Sequence, residues 1–336
     1  MEKTKINTLR IIFAFVTAVA LILSGCSGKQ AASSDEPLKI ALSPWPGWFF
    51  WYVVEEKGFF EKHGVEVQLE WFPVYSDSLQ ALATGKVDAN SQTLSDTLAP
   101  ASKGIGLKAV LVNDNSFGGD AIVAKQEIGS IEDLKGKTVA TELGTVDHLL
   151  LLTALAEHGM SESDVNYVNM TVNDAGPAFI SGKTDASVLW EPFQTMAVKE
   201  GNGKILFSSK DTPGLIPDLL VFKEDVVESR PEDVQKVVDA WFDAVDWYAD
   251  NEQEGLDIMA AKAETSVEDF KLGMESIKLF TLEDNLKAFE HGDTYESLHY
   301  TGQTTAEFLK NLDMLQDIPD LTKVLEPKFV QALAER

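Results

Sequence analysis

The sequence predicts a two-lobed α/β fold, with two parallel-type sheets, flanking helices and a helical C-terminal tail. Three observations predict it. Stretches of β character alternate with helical patterns from Leu38 to Ser208, the pattern of β–α–β units in a parallel sheet. The alternation falls into two series, bounded by Gly118-Gly119-Asp120 and by the Pro/Gly-rich segment Thr212 to Pro217. From Pro231 onward the apolar spacing is helical.

The chain opens with a segment of another kind. Met1 to Arg10 carries Lys3, Lys5 and Arg10, and Ile11 to Leu23 is apolar apart from Thr17. A basic start, a short apolar core and small residues at the exit read as a secretory signal over 1–25. The apolar run falls short of the roughly 20 residues that span a bilayer. It ends in Leu23-Ser24-Gly25-Cys26, which looks like a bacterial lipobox with Cys26 as the lipidated first residue of the mature protein. The alternative for a lone Cys is a small core residue. Cys26 is the only cysteine, so no intramolecular disulfide can form. Ser27 to Pro37 has no large apolar residue, so 26–37 reads as a lipidated tether.

Residues 1–25 hold Lys3, Lys5 and Arg10 against Glu2, a net +2, which leaves −28 for the rest of a chain at −26. Such a charge excludes nucleic acid and anionic lipid surfaces as partners. The remaining length suits two domains with a large core.

In order, the first series runs as follows: strand Leu38 to Ser43, helix Trp51 to His63 ended by Gly64, strand Val65 to Phe72, helix Ser76 to Thr84 ended by Gly85, strand Val87 to Asn90, helix Leu94 to Lys103 ended by Gly104, and strand Leu107 to Val112. The second has strands at Lys137 to Thr141, Val165 to Met170, Ala186 to Leu189 and Lys204 to Ser208, with helices at Val146 to His158, Pro177 to Ser181 and Phe193 to Glu200. Leu219 to Lys223 reads as a returning strand. Pro231, after Ser229-Arg230, suits a first helical turn. The domains predicted are therefore 38–120 with 215–336 for the first lobe and its tail, and 121–214 for the second.

In open α/β sheets, ligands sit beyond the C-terminal strand ends. The loop after the first strand packs Trp45, Trp48, Phe49, Phe50, Trp51 and Tyr52 into eight residues, more aromatic surface than one helix face can bury. Trp45, Trp48 and Tyr52 are the candidates to line a cleft, the alternative being core. Asp77 is a cap or a contact, and Ser91 and Gln92 can offer neutral hydrogen bonds. Asp114 lies on the loop from Asn113 to Asp120. Glu142, at a strand end without a capping duty, is a polar ligand candidate. Thr145 either caps the following helix or marks a helix N-terminus that holds an anion through its N–H groups. Asn173 precedes a helix, where capping competes with contact. Glu191 follows Trp190 at a strand end.

Catalytic patterns are missing. None of the five His has a metal-like partner at i+4, and there is no G-x-S-x-G, P-loop or dinucleotide fingerprint. No metal, cofactor or catalytic residue is expected.

Several motifs match a family. Ser43-Pro44-Trp45-Pro46-Gly47-Trp48, then Glu55-Glu56-Lys57-Gly58-Phe59-Phe60-Glu61-Lys62-His63-Gly64-Val65-Glu66-Val67, resembles the first strand–helix–strand of nitrate/sulfonate/taurine-type binding proteins of the NMT1/THI5-like superfamily. So do Ala83-Thr84-Gly85-Lys86-Val87-Asp88-Ala89, Asp133-Leu134-Lys135-Gly136-Lys137 with Val139, Ser181-Gly182-Lys183-Thr184-Asp185-Ala186 and Trp190-Glu191-Pro192. Each motif alone is weak; their order and spacing are specific from Leu38 to about Lys223. The resemblance implies the two-crossover (type II) periplasmic-binding-protein fold and delivery of a small-molecule solute to an ABC permease with its ATPase. With the lipid anchor, it implies an exported protein held at the membrane; a monomer is expected.

The residues depart from that family in ligand charge. Oxyanions call for donors, and Arg is the usual one. No Arg lies between Cys26 and Ser229, whereas the strand-end loops bring Asp77, Asp96, Asp114, Asp120, Glu142, Asp147, Asp174 and Glu191 beside Trp45, Trp48 and Tyr52. Aromatic faces with carboxylates suit a cation. The solute expected is a small cationic or neutral nitrogen compound, such as a guanidinium, amine, urea-like compound or pyrimidine. The alternatives are nitrate, sulfonate, taurine or bicarbonate, or a pyrimidine-synthesising enzyme on the same fold, whose expected reactive Cys and His this chain lacks.

Overall fold

Eleven strands form two sheets in a computed structural model that describes residues 36–336. The signal at 1–25, Cys26 and the tether up to residue 35 lie outside the described residues. The first sheet holds β1 (Leu38–Leu42), β2 (Val67–Trp71), β3 (Ala89–Thr93), β4 (Leu107–Ser116), β10 (Pro217–Lys223) and β11 (Ile277–Leu279), in the order β11-β4-β10-β3-β1-β2. The second holds β5 (Asp120–Lys125), β6 (Thr138–Thr141), β7 (Asn166–Asn169), β8 (Ala186–Trp190) and β9 (Gly203–Ser208), in the order β7-β6-β8-β5-β9. This is an α/β fold in which both sheets carry helices on their faces.

Neither sheet is purely parallel, which corrects the expectation. β1 pairs in parallel with β2 and β3, and β6 with β7 and β8. The strands that enter each lobe from the other run the opposite way: β10 is antiparallel to β3 and β4, and β5 to β8 and β9. A chain that crosses directly from one sheet into the other arrives without a helical crossover, so it pairs antiparallel. β5 was not expected at all, although its DAIVAK is buried nearly throughout. β4 runs on through Ser116, so Asn113 to Ser116 are strand residues and not loop.

The two crossings, 117–119 and 209–216, lie side by side. The Gly118 N–H donates to Ser209 Oγ at 2.6 Å, and the Ser116 and Ser209 hydroxyls are 2.7 Å apart. Gly118 and Gly214 have φ of 103° and 86°, values that glycine adopts without strain.

Local sequence explains other departures. The helix expected over Trp51 to His63 breaks into Phe50–Glu56 and Phe59–His63 at Gly58, whose φ is 71°. The helix expected from Pro177 starts earlier, at Val172. The tail helices return to the first lobe: Trp241, on Pro231–Asp250, packs 4.4 Å from Trp51 and 5.0 Å from Phe50 between ring centres. That burial takes Phe50 and Trp51 into the core and away from any cleft.

Candidate functional site

Four aromatic rings wall a small space of about 10 Å³ between the sheets, room for about one water. Trp45 and Trp48 come from the turn after β1, where the Trp48 and Phe49 N–H groups donate to the Trp45 carbonyl and swing both indoles to one side. Tyr75 opens the helix Tyr75–Ala83 and lies 5.2 Å from Trp48. Trp190, the last residue of β8, meets Tyr75 edge-on at 5.6 Å and 86°. The ring wall is thus built from both sheets. Gly47 is required for it: a Cβ there would stand 2.0 Å from Asp114 Oδ2.

Carboxyls surround the rings. Asp114 and Asp218 are cross-strand partners on β4 and β10. Asp120 opens β5, and Asp96 and Asp147 lie in the first turns of the helices Leu94–Ser102 and Val146–Glu157. All five are buried. The Trp45 indole N–H donates to Asp114 Oδ1 at 3.0 Å. Asp96 Oδ2 accepts from the Thr93 hydroxyl at 2.9 Å and from the Val146 N–H at 3.3 Å. Asp114 Oδ2, Asp120 Oδ2, Asp218 Oδ2 and both Asp147 oxygens have no hydrogen-bond partner among the described residues, nor does the Trp48 indole N–H.

Burial pushes every one of these acids up. Asp96 and Asp120 rise to about 7 and Asp114 to about 8, from an ordinary 3.8. Asp147 and Asp218 go up as well, through burial and then through repulsion from neighbouring carboxylates, Asp120 first for Asp147 and Asp114 first for Asp218. Asp114 and Asp218 face each other across β4 and β10 and repel when both are ionised, so the pair is best served by one shared proton. No Lys, Arg or His lines the cavity. Its lining is therefore electron-rich rings and carboxyl groups, which can be satisfied by protons or by a cation. Among the described residues no cluster of His, Cys, Asp and Glu suits a metal ion, and no helix is long and apolar enough to cross a membrane.

The NMT1/THI5-like family model matches residues 45–255. The chain belongs to the NMT1/THI5-like family. Within reach of that family lies the taurine-binding periplasmic protein of Escherichia coli K12, 27% identical over 250 residues, which are 73% of this chain and 72% of that one. The chain also shares its fold with solved structures. The periplasmic aliphatic sulphonate binding protein SsuA of Escherichia coli superposes with a TM-score of 0.72 at 19% identity, covering 88% of this chain and 93% of that one. The periplasmic nitrate-binding protein NrtA of Synechocystis PCC 6803 gives 0.73 at 14% identity, over 89% and 88%. The fold of this NMT1/THI5-like chain is thus that of two-lobed periplasmic binding proteins.

Of the residues singled out by sequence, Trp45 and Trp48 line the cavity and Asp114 stands behind Trp45. Glu142 is buried at the cleft edge, beside Ser76 and the Val172 N–H, and burial raises its pKa. The others have different surroundings. Tyr52 and Glu191 face a wider outer groove, Tyr52 beneath the Lys262 ammonium at 5.0 Å. Glu191 accepts from the Thr195 hydroxyl at 2.8 Å and from its N–H, which occupies it at the start of the helix Phe193–Glu200. Ser91 accepts from the Trp51 indole at 2.8 Å, and the Gln92 amide donates to Thr97 at 2.8 Å, so both serve the first lobe from within. Asp77 is exposed. Thr145 makes no cap; its hydroxyl donates to the Glu142 carbonyl at 2.9 Å. Asn173 is half-buried inside the first turn of Val172–Ile180, past the capping position.

Tyr75, Trp190 and Asp218 also line the cavity without having been candidates, with Thr93, Val146 and Ile216, and so does Asp120, one of the strand-end carboxylates. Trp190, Asp120 and Asp218 lie within two residues of a strand end, a signal that Tyr75, beyond the end of β2, lacks. His148, expected on a cleft loop, lies in the first turn of the helix Val146–Glu157 and turns to Glu162, 2.5 Å from its Nε2.

Proposed function

We propose that this chain is the extracytoplasmic solute receptor of an ABC importer, exported and anchored through Cys26, and that it takes a small cationic or neutral nitrogen compound. Membership of the NMT1/THI5-like family and the fold shared with named periplasmic binding proteins support the receptor role. One observation carries the ligand reading: a buried cavity lined by four aromatic rings and two carboxyls, Asp120 and Asp218, without a basic side chain in its lining. Cation–π attraction of about 0.5–2 kcal/mol per ring adds to direct pairing with carboxylate.

A competing oxyanion would find the unpartnered Trp48 indole N–H and the N-terminus of the helix Val146–Glu157 as donors. That end already serves an anion, since the Val146 N–H donates to Asp96 of the other lobe. A second reading, taurine or a sulfonate, rests on the names of relatives. Thermal shift and calorimetry with guanidinium, amidines, amines and urea against nitrate, taurine, alkanesulfonates and bicarbonate decide between them. Stabilisation confined to the anions sinks the cation reading. A bound ligand recovered chemically unchanged supports a receptor over an enzyme.

A further inference from the structure

The aromatic wall alone does not choose among cations. A tetraalkylammonium, with no N–H group, would satisfy four ring faces as well as a guanidinium does. The carboxyl oxygens make the choice. Asp218, second residue of β10, and Asp120, first residue of β5, both line the cavity, one from each sheet. Both are almost fully buried, and in each the Oδ2 atom lacks a partner. Asp218 stands opposite Asp114 across β10 and β4, and the Trp45 indole donates to Asp114 at 3.0 Å. Asp120 and Asp218 thus each line the cavity with a carboxyl that keeps an unpaired acceptor.

Resting on the cation reading above, we infer that the solute carries N–H donors on at least two sides, as a guanidinium or amidinium does, and bridges Asp218 of the first sheet to Asp120 of the second. A buried acceptor left unpaired is costly, so a cation without N–H groups would bury both oxygens at a loss. Specificity then lies in these two acids, and the rings supply affinity common to all cations. The bridge also explains the position of both acids on the strands that cross between lobes: a ligand held by both fixes the closed arrangement.

The test compares guanidinium, acetamidinium and tetramethylammonium chlorides by calorimetry on the wild-type protein at low millimolar concentration. The expected result is binding of the first two at least about a hundredfold tighter than the third, the loss of two paired acceptors. Asp120→Asn and Asp218→Asn should each weaken guanidinium by about tenfold or more, and by a larger factor than they weaken any tetramethylammonium binding, which loses only the charge and no hydrogen bond. Because the ranking is measured on the wild type, it stands even if a variant folds poorly. Tetramethylammonium bound as tightly as guanidinium, or guanidinium indifferent to both variants, overturns the inference while the cation reading survives. Failure of all three cations with binding of taurine or nitrate overturns both.

Discussion

Acidifying the ligand-free protein from about pH 8 to about pH 5 should close its two lobes. Asp96 and Asp120 sit at about 7 and Asp114 at about 8 in the closed form, against 3.8 in water. Burial is the main cause in each, and opening the cleft returns water to these groups. For Asp96 the difference of about three units corresponds to about 4 kcal/mol, or about a thousandfold in the ratio of closed to open molecules, as an upper bound for one group. The sign follows from the direction of the shift. A carboxyl whose pKa is raised in the closed form binds its proton there more tightly than in the open form. Its stabilisation of the closed form is fully present below about 4 and is lost as the pH rises through about 7. The other ionisable groups facing the cavity act the same way: Asp147, Asp218 and Glu142 are all raised, and Tyr75 stays neutral throughout. Scattering should give a smaller radius of gyration at the acid end, and tryptophan emission should move with a midpoint near 7, since Trp45, Trp48 and Trp190 wall the cavity. A cation at about pH 8 should reproduce the compact form with little proton release, because the open form's carboxyls are already ionised, whereas binding at about pH 5 should displace protons from the closed cleft, seen as a buffer-dependent heat. Equal radius and emission at both ends, or compaction on raising the pH, would refute the argument.

Three further outcomes are expected. Gly47→Ala places a Cβ 2.0 Å from Asp114 Oδ2 and 2.5 Å from its Cγ, so Asp114 must leave its position; solute binding should be abolished, with about 1–3 kcal/mol of destabilisation in chemical unfolding. Trp45→Phe keeps a ring but removes the indole donor to Asp114, a charge-assisted bond worth about 1.5–3 kcal/mol when Asp114 is ionised, so ligand-free stability should fall more at about pH 9 than at pH 5. Cys26→Ser should move the protein from the membrane to the soluble fraction or leave its signal uncleaved; unchanged fractionation and migration would count against the lipid anchor.

What the sequence made legible is what short-range physics encodes. β1, β2 and β6 declare themselves by composition and by the glycines and polar residues that bound them, and Gly64 and Gly85 end their helices in the left-handed conformation a terminus needs. The acidity of the site was legible too, since the absence of Arg between Cys26 and Ser229 needs no structure. The antiparallel sense of β5 and β10 was not, because direction depends on where the chain comes from, and that lies outside any local window. The same reason separates the two halves of the site. Trp45 and Trp48 stand beside a strand end and announce themselves, whereas Asp114 and Asp218 become a pair only when β10 returns alongside β4. Glu191 and Ser91 show the converse: each looked free in sequence, and each is held by a partner, Thr195 through one helical turn and Trp51 from the helix Phe50–Glu56. A side chain at a strand end is thus a candidate only until its competitors are counted. Among the described residues the buried carboxyls that keep an acceptor after that count are Asp114, Asp120 and Asp218 on the strands that meet at the crossings and Asp147 at the start of one helix. Binding and closure therefore share the same groups, and a change in the charge of the solute should alter how the lobes meet as directly as it alters affinity.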